Sequence, residues 1–96
     1  MTSGFDSELD VPAVERTLRF QRECGLHVRL ATEVAAAVEE RDATVRVATD
    51  EDRVSLESAL ELLSLEIREG DRVHLSATGP EADAALETIE DVFTED

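Results

Sequence analysis

The sequence predicts an α+β domain of two layers, a four-stranded sheet covered on one face by three helices, in the order β-α-β-β-α-β-α. Three observations carry this reading. Four short segments alternate apolar and polar residues with the period of a half-buried strand. Three others repeat apolar residues at the spacing of an amphipathic helix. The length, 96 residues, leaves room for one modest core and no second domain.

Residues 1–12, "MTSGFDSELDVP", are acidic, carry Gly4 and Pro12 and hold neither period, so they read as a loose arm ahead of a domain spanning 13–94. From there Val14, Arg16, Leu18 and Phe20 alternate with Glu15, Thr17, Arg19 and Gln21, which fits a first strand despite Arg16. After the loop "RECG", Ala31, Val34, Ala35 and Val38 make one helical stripe that ends near "EERDA". "TVRVAT" (44–49) alternates as a second strand, and "DEDR" turns the chain into a short third strand at Arg53–Ser55, giving a hairpin. A brief helix covers Ser58–Leu65, with Ser58 and Glu61 spaced as a capping box. Gly70 and Asp71 turn the chain into "RVHLSAT", where Val73, Leu75 and Ala77 face one way. Gly79 and Pro80 open a last helix, whose stripe is Ala82, Ala85, Leu86, Ile89, Val92 and Phe93.

Charge excludes whole classes of partner. There are 24 acidic residues against nine basic ones, a net charge of −15, and every basic residue is arginine. Such a field repels nucleic acid and anionic lipid unless a local basic patch intervenes, and no run in the sequence supplies one. The acidity itself reads as adaptation to multimolar salt, where the Debye length shrinks to about 3 Å and self-repulsion largely disappears. No apolar run approaches the roughly 20 residues of a membrane span, and the acidic start is unlike a secretory signal, so the expectation is a cytoplasmic protein. A single cysteine, Cys24, excludes an intrachain disulfide. The pair Cys24 and His27 in "CGLH" offers two metal ligands, too few for a closed site, so neither metal nor other cofactor is expected.

The candidate site lies at the start of the first helix. Read blandly, His27 is a cap or a half-buried polar residue. Two features open another reading. The amides of Val28 and Arg29, in the first turn, have no carbonyl partners and, with the helix dipole, favour an anion. Arg29 adds a guanidinium fork that can hold phosphate oxygens by two bonds. A nucleophilic imidazole beside such a site is suited to accept a phosphoryl group. His74, outward on its strand with no acid or nucleophile beside it in sequence, reads as a surface residue.

The stretch "GLHVRLA" resembles the "GLHARPA" signature of HPr, the histidine-containing phosphocarrier family of the phosphoenolpyruvate-dependent sugar phosphotransferase system. The downstream run "VSLESALELLSLEIREGDRVHLSATGPEADAAL" is similar to that family's second half, and the likeness covers about residues 14–93. The resemblance implies an open-faced sandwich with an antiparallel sheet. It further implies that His27 takes a phosphoryl group on Nδ1 from phosphorylated enzyme I and yields it to a sugar-specific acceptor domain. Arg29 would steady the phosphate and the Val28 and Arg29 amides would hold its oxygens. Such a protein is a carrier with a phosphohistidine intermediate rather than a stand-alone enzyme, and one that shows one face to successive partners is expected to be a monomer.

Two further assignments follow from the resemblance. Ser58 aligns with a serine that some HPr proteins use as a regulatory phosphorylation site, although its plain reading is an N-cap. Ala59, Leu60 and Leu63 match the docking patch beside the histidine, and their plain reading is a helix wedged between two neighbours. Where the family has proline this chain has Leu30, and where it has a loop asparagine this chain has Arg22; Cys24 replaces a small hydroxyl residue. Two alternatives stay open: an HPr-like regulatory or paralogous module serving another acceptor, such as a dihydroxyacetone-phosphorylating system, or a small α+β binding domain in which His27 only caps its helix.

Overall fold

Residues 13–94 are described by the computed structural model; the arm expected over 1–12 lies outside them. Strand β1 (Val14–Arg19), helix α1 (Val28–Glu39), strands β2 (Thr44–Ala48) and β3 (Arg53–Ser55), helix α2 (Ala59–Ser64), strand β4 (Arg72–Thr78) and helix α3 (Ala82–Thr94) follow in the expected order. The sheet runs β1-β4-β2-β3 with every neighbouring pair antiparallel, so β4, last in sequence, sits between the first two strands.

The strand alternation sorts into two faces by register. Val14, Ala77 and Val45 stand in one inward row, Arg16, Leu75, Val47 and Val54 in the next, and Leu18 beside Val73 in a third. The helices supply the other half of the core: Leu30, Ala31, Val34 and Val38 from α1, Leu62 from α2, and Ala82, Ala85, Leu86, Ile89 and Phe93 from α3. Helix α3 lies along β1, β4 and β2, and α1 packs on both α2 and α3. Leu26, Leu56 and Ile67, each in a connection outside any periodic run, are also buried.

Arg16 occupies an inward position without burying a lone charge. Its guanidinium reaches across the sheet edge to α3, 2.8 Å from Glu90 Oε1 and 3.6 Å from Asp83 Oδ1. The hairpin turn is tied by Thr49, whose Oγ1 accepts from the amides of Glu51 and Asp52, both at 3.3 Å. Pro80 sits in the turn before Ala82 rather than inside α3. Gly79, at φ 113, lets the chain pass so near the α1–β2 connection that a Cβ would lie 2.8 Å from the Asp42 carbonyl oxygen. The same crossing is stitched by Asp42, whose amide donates to Glu81 Oε1 at 2.6 Å, and by the Glu81 amide, which donates to the Asp42 carbonyl at 3.0 Å.

Helix α2 ends with Glu66 at φ 53, a left-handed conformation that L-residues adopt at a cost, while its amide donates to the Leu63 carbonyl at 3.1 Å. Glycine removes that cost, so Glu66→Gly is expected to raise the unfolding free energy by about 0.5–1 kcal/mol in urea titrations. A loss of stability in that variant would show that the Glu66 side chain makes a larger contribution than its backbone strain removes.

Candidate functional site

The loop before α1 is fixed on both sides. Gly25, at φ 74, completes a turn in which its amide donates to the Arg22 carbonyl at 3.0 Å, and a Cβ there would lie 3.0 Å from the Ile67 carbonyl oxygen. Leu26 buries its side chain and its amide donates to that same Ile67 oxygen at 3.0 Å. With residues 25 and 26 held inward, the next residue emerges at the surface.

That residue is His27, the N-cap of α1, with extended backbone at φ −113 and ψ 176. Its carbonyl accepts from the Ala31 amide at 2.9 Å, the first bond of the helix. Its imidazole is exposed and makes no capping hydrogen bond, and the first turn carries no acidic side chain. Among the described residues, the amides of Val28, Arg29 and Leu30 therefore point out of the helix end without an acceptor. A purely capping histidine would fill that role, and this one does not. Arg29 is exposed and engages no carboxylate among the described residues.

A cleft of about 560 Å³ opens beside the imidazole, lined by His27 and Leu30 on one side and by Arg22, Cys24 and Glu69 on the other. Of the sequence candidates, His27 reaches this cleft and Arg29 does not line it. Glu69 has no sequence signal of its own: it arrives through the α2–β4 connection, brought there by the bond of the Leu26 amide to Ile67 and the close approach of Gly25 to the same carbonyl.

Helix α2 lies against α1 and carries the second candidate surface. Leu62 is fully buried, Ala59 and Leu63 are half-buried, and Leu60 is 74% exposed; Val28 at the start of α1 is 65% exposed. These two are the large exposed apolar side chains among the described residues. Ser58 caps α2: its Oγ accepts from the Leu60 amide at 3.2 Å and donates to Glu61 Oε1 at 2.9 Å, while the Ser58 amide donates to the same Oε1 at 2.6 Å. The Ser58 hydroxyl holds the Glu61 carboxyl below its ordinary value of 4.5; desolvation opposes this and the Ser58 amide adds to it. A depressed carboxyl stabilises the fold above its unfolded pKa, and that contribution fades as pH falls through the lower folded value. Ser58→Ala is therefore expected to cost about 1 kcal/mol at neutral pH, with the gap from wild type narrowing in acid when both are unfolded in urea.

The residue pattern around this geometry matches a family model across residues 14–95, that of the PTS HPr component phosphorylation site. The chain belongs to the HPr family. It is an HPr-like phosphocarrier of the phosphotransferase system. Among curated proteins it is 38% identical over 76 residues to the phosphocarrier protein NPr of Shewanella violacea, spanning 79% of this chain and 84% of that one. It is 34% identical to the phosphocarrier protein HPr of Haloferax volcanii, spanning 84% of this chain and 93% of the other. A third relative is the phosphoryl donor subunit DhaM of the phosphoenolpyruvate-dependent dihydroxyacetone kinase of Pantoea ananatis, 33% identical over 91% of this chain but only 18% of that protein. The fold is shared with the crystal structure of HPr from Bacillus anthracis, at a TM-score of 0.79 and 22% identity over 84% of this chain and 96% of that one.

Two of this HPr's departures from the resembling signature now have positions. Leu30 buries its side chain, 4% exposed, as the first core residue of α1 while adding a third free amide to the helix end. Arg22 donates from Nη1 to the Val92 carbonyl at 3.2 Å, tying the loop before His27 to the C-terminal end of α3. His74, expected at the surface, shares a hydrogen bond through Nδ1 with Thr17 Oγ1 at 3.0 Å and has Asp50 Oδ1 3.9 Å from Nε2, an acid the fold brings there from the hairpin turn. No helix among the described residues is long and apolar enough to cross a membrane.

Proposed function

We propose that His27 accepts a phosphoryl group on Nδ1 from phosphorylated enzyme I and passes it to a sugar-specific EIIA-type acceptor, the protein working as a monomeric cytoplasmic carrier. The observation that carries this reading is the exposed, uncapped imidazole at a helix end whose first three amides lack acceptors among the described residues. The Nδ1 lone pair attacks phosphorus, the bond from phosphorus to the donor breaks, and its electron pair leaves with the donor. Oxygens of the bound phosphoryl group then accept from the Val28 and Arg29 amides, and Arg29 adds charge-assisted bonds from the exposed side. Ala59, Leu60 and Leu63 form the docking patch for both partners, which accounts for Leu60 standing 74% exposed, with Val28 one of two large apolar side chains so exposed among the described residues. Ser58 serves as the cap of α2, and phosphorylation of its hydroxyl, the regulatory alternative, would give up its bonds to Leu60 and Glu61. The net charge of −15 and the absence of lysine fit a protein kept soluble in concentrated salt.

The similarity to DhaM favours a second reading, a parallel carrier that feeds a different acceptor, such as a dihydroxyacetone-phosphorylating system. Incubating the protein at high salt with phosphoenolpyruvate and enzyme I is expected to add one acid-labile phosphate, located on His27 by mass spectrometry. Chase of that phosphate onto an EIIA-type domain supports the first reading, and chase only onto a dihydroxyacetone kinase subunit supports the second. No label, or label on another residue, would overturn both.

A further inference from the structure

We propose that the outer face of the sheet is a second docking surface, which binds an acidic patch of a protein partner and leaves the His27 end of the molecule free. The chain is strongly acidic, yet its strands turn Arg19, Arg46, Arg53 and Arg72 to one side, four of the nine arginines. Glu15 is the one carboxylate that the strands place among them. No run in the sequence forms this basic face; the sheet order assembles it from four separate strands.

Register makes the crowding specific. Arg19 stands directly across from Arg72, a like-charged cross-strand pair, and such pairs destabilise a sheet. Arg46 stands between Ser76 and Ser55, and Arg53 is opposite Ala48, which has His74 on its other side. None of the four guanidiniums pairs with a carboxylate among the described residues; Arg19 Nη1 donates instead to the Gly70 carbonyl at 2.9 Å. The carboxylates nearest in the chain are Glu51 and Asp52 with Asp50 in the β2–β3 turn, where Asp50 leans toward His74, and Asp71 just ahead of Arg72.

The like-charged pair of Arg19 and Arg72 opposes sheet pairing, and an anionic partner would relieve that repulsion. Guanidinium forks match carboxylates by paired bonds, and arginine is the only cation type this chain uses. A nucleic acid would run beyond the face into the acidic remainder of the surface, while a compact acidic protein patch can meet the four arginines between Glu15 and the carboxylates Asp50, Glu51, Glu66 and Asp71 that border Arg72. The helices pack on the opposite side of the sheet, and His27 at the start of α1 and Leu60 on α2 are exposed there, off the strand face.

The test is amide chemical-shift titration of the full chain with a poly-glutamate peptide at about 0.1 M salt, where the screening length is still near 10 Å. Saturable shifts are expected at Arg46, Arg53, Arg72 and His74, and binding should weaken by about tenfold in Arg46→Ser/Arg72→Ser. His27→Asn should leave the affinity unchanged, which separates this surface from the phosphoryl site. Thermal melts at the same salt check that the double variant stays folded. Absence of saturable binding, shifts centred on Val28 and Arg29, or tighter binding of a single-stranded oligonucleotide than of the peptide would each overturn the proposal.

Discussion

His27→Asn is expected to abolish phosphate acceptance and, at the same time, to make the protein more stable by about 1 kcal/mol. Asparagine is among the best N-cap residues, and its side-chain oxygen accepts from the second or third amide of a helix. In this protein those amides belong to Arg29 and Leu30, and neither has an acceptor among the described residues. The imidazole makes no cap bond, so its removal forfeits nothing there, and the new amide side chain fills the vacancy. His27→Ala supplies the control: it loses the phosphate equally but shifts stability by no more than about 0.5 kcal/mol, as for an ordinary exposed residue. Phosphorylation of the wild type should itself stabilise α1, since the phosphoryl oxygens become the missing cap. Mass spectrometry reads the first effect and urea titration the second. An asparagine variant no more stable than the alanine one would mean that these amides are not the anion site.

The geometry around His27 was legible in sequence because its parts are adjacent. Glycine, histidine and arginine within one helix start share a local geometry, so spacing alone brings His27 beside the Val28 and Arg29 amides. The strands and helices were legible for a related reason: burial in this sheet alternates so regularly, as in Val73, Leu75 and Ala77, that period and face coincide. What stayed hidden depends on contacts distant in the chain. The arginine face combines positions 19, 46, 53 and 72, and only the β1-β4-β2-β3 order makes them neighbours. Glu69 enters the cleft beside His27 because Leu26 bonds to Ile67 across the core. Pro80 fell just outside α3 because the close crossing at Gly79 commits the next residues to a turn. Arg16 read as an anomaly in its strand until α3 brought Glu90 and Asp83 over it.

Phe93→Ala is expected to cost about 3–5 kcal/mol in urea titrations, the largest effect on stability of the substitutions considered. Phe93 is fully buried in the last turn of α3, and its ring meets that of Phe20, also fully buried, edge-on with centroids 5.1 Å apart. The loss combines the transfer of an aromatic side chain, the cavity it leaves and the ring pair, which alone is worth about 0.5–1.5 kcal/mol. Domains of this size are stable by only about 5–15 kcal/mol, so the variant sits close to the unfolding threshold. The effect also reaches the proposed phosphoryl site. The Gln21 amide donates to the Phe93 carbonyl at 2.9 Å and Arg22 to the Val92 carbonyl at 3.2 Å, so the end of α3 anchors the segment that leads to Gly25 and His27. Phe20→Ala should cost a similar amount, and the double variant less than the two together, because each ring is the other's partner. At a temperature where Phe93→Ala remains folded, amide exchange should quicken from Gln21 to Leu26 while the β2–β3 hairpin keeps its protection relative to the new global stability. Uniform exchange across the domain would show instead that α3 and the loop unfold only with the whole.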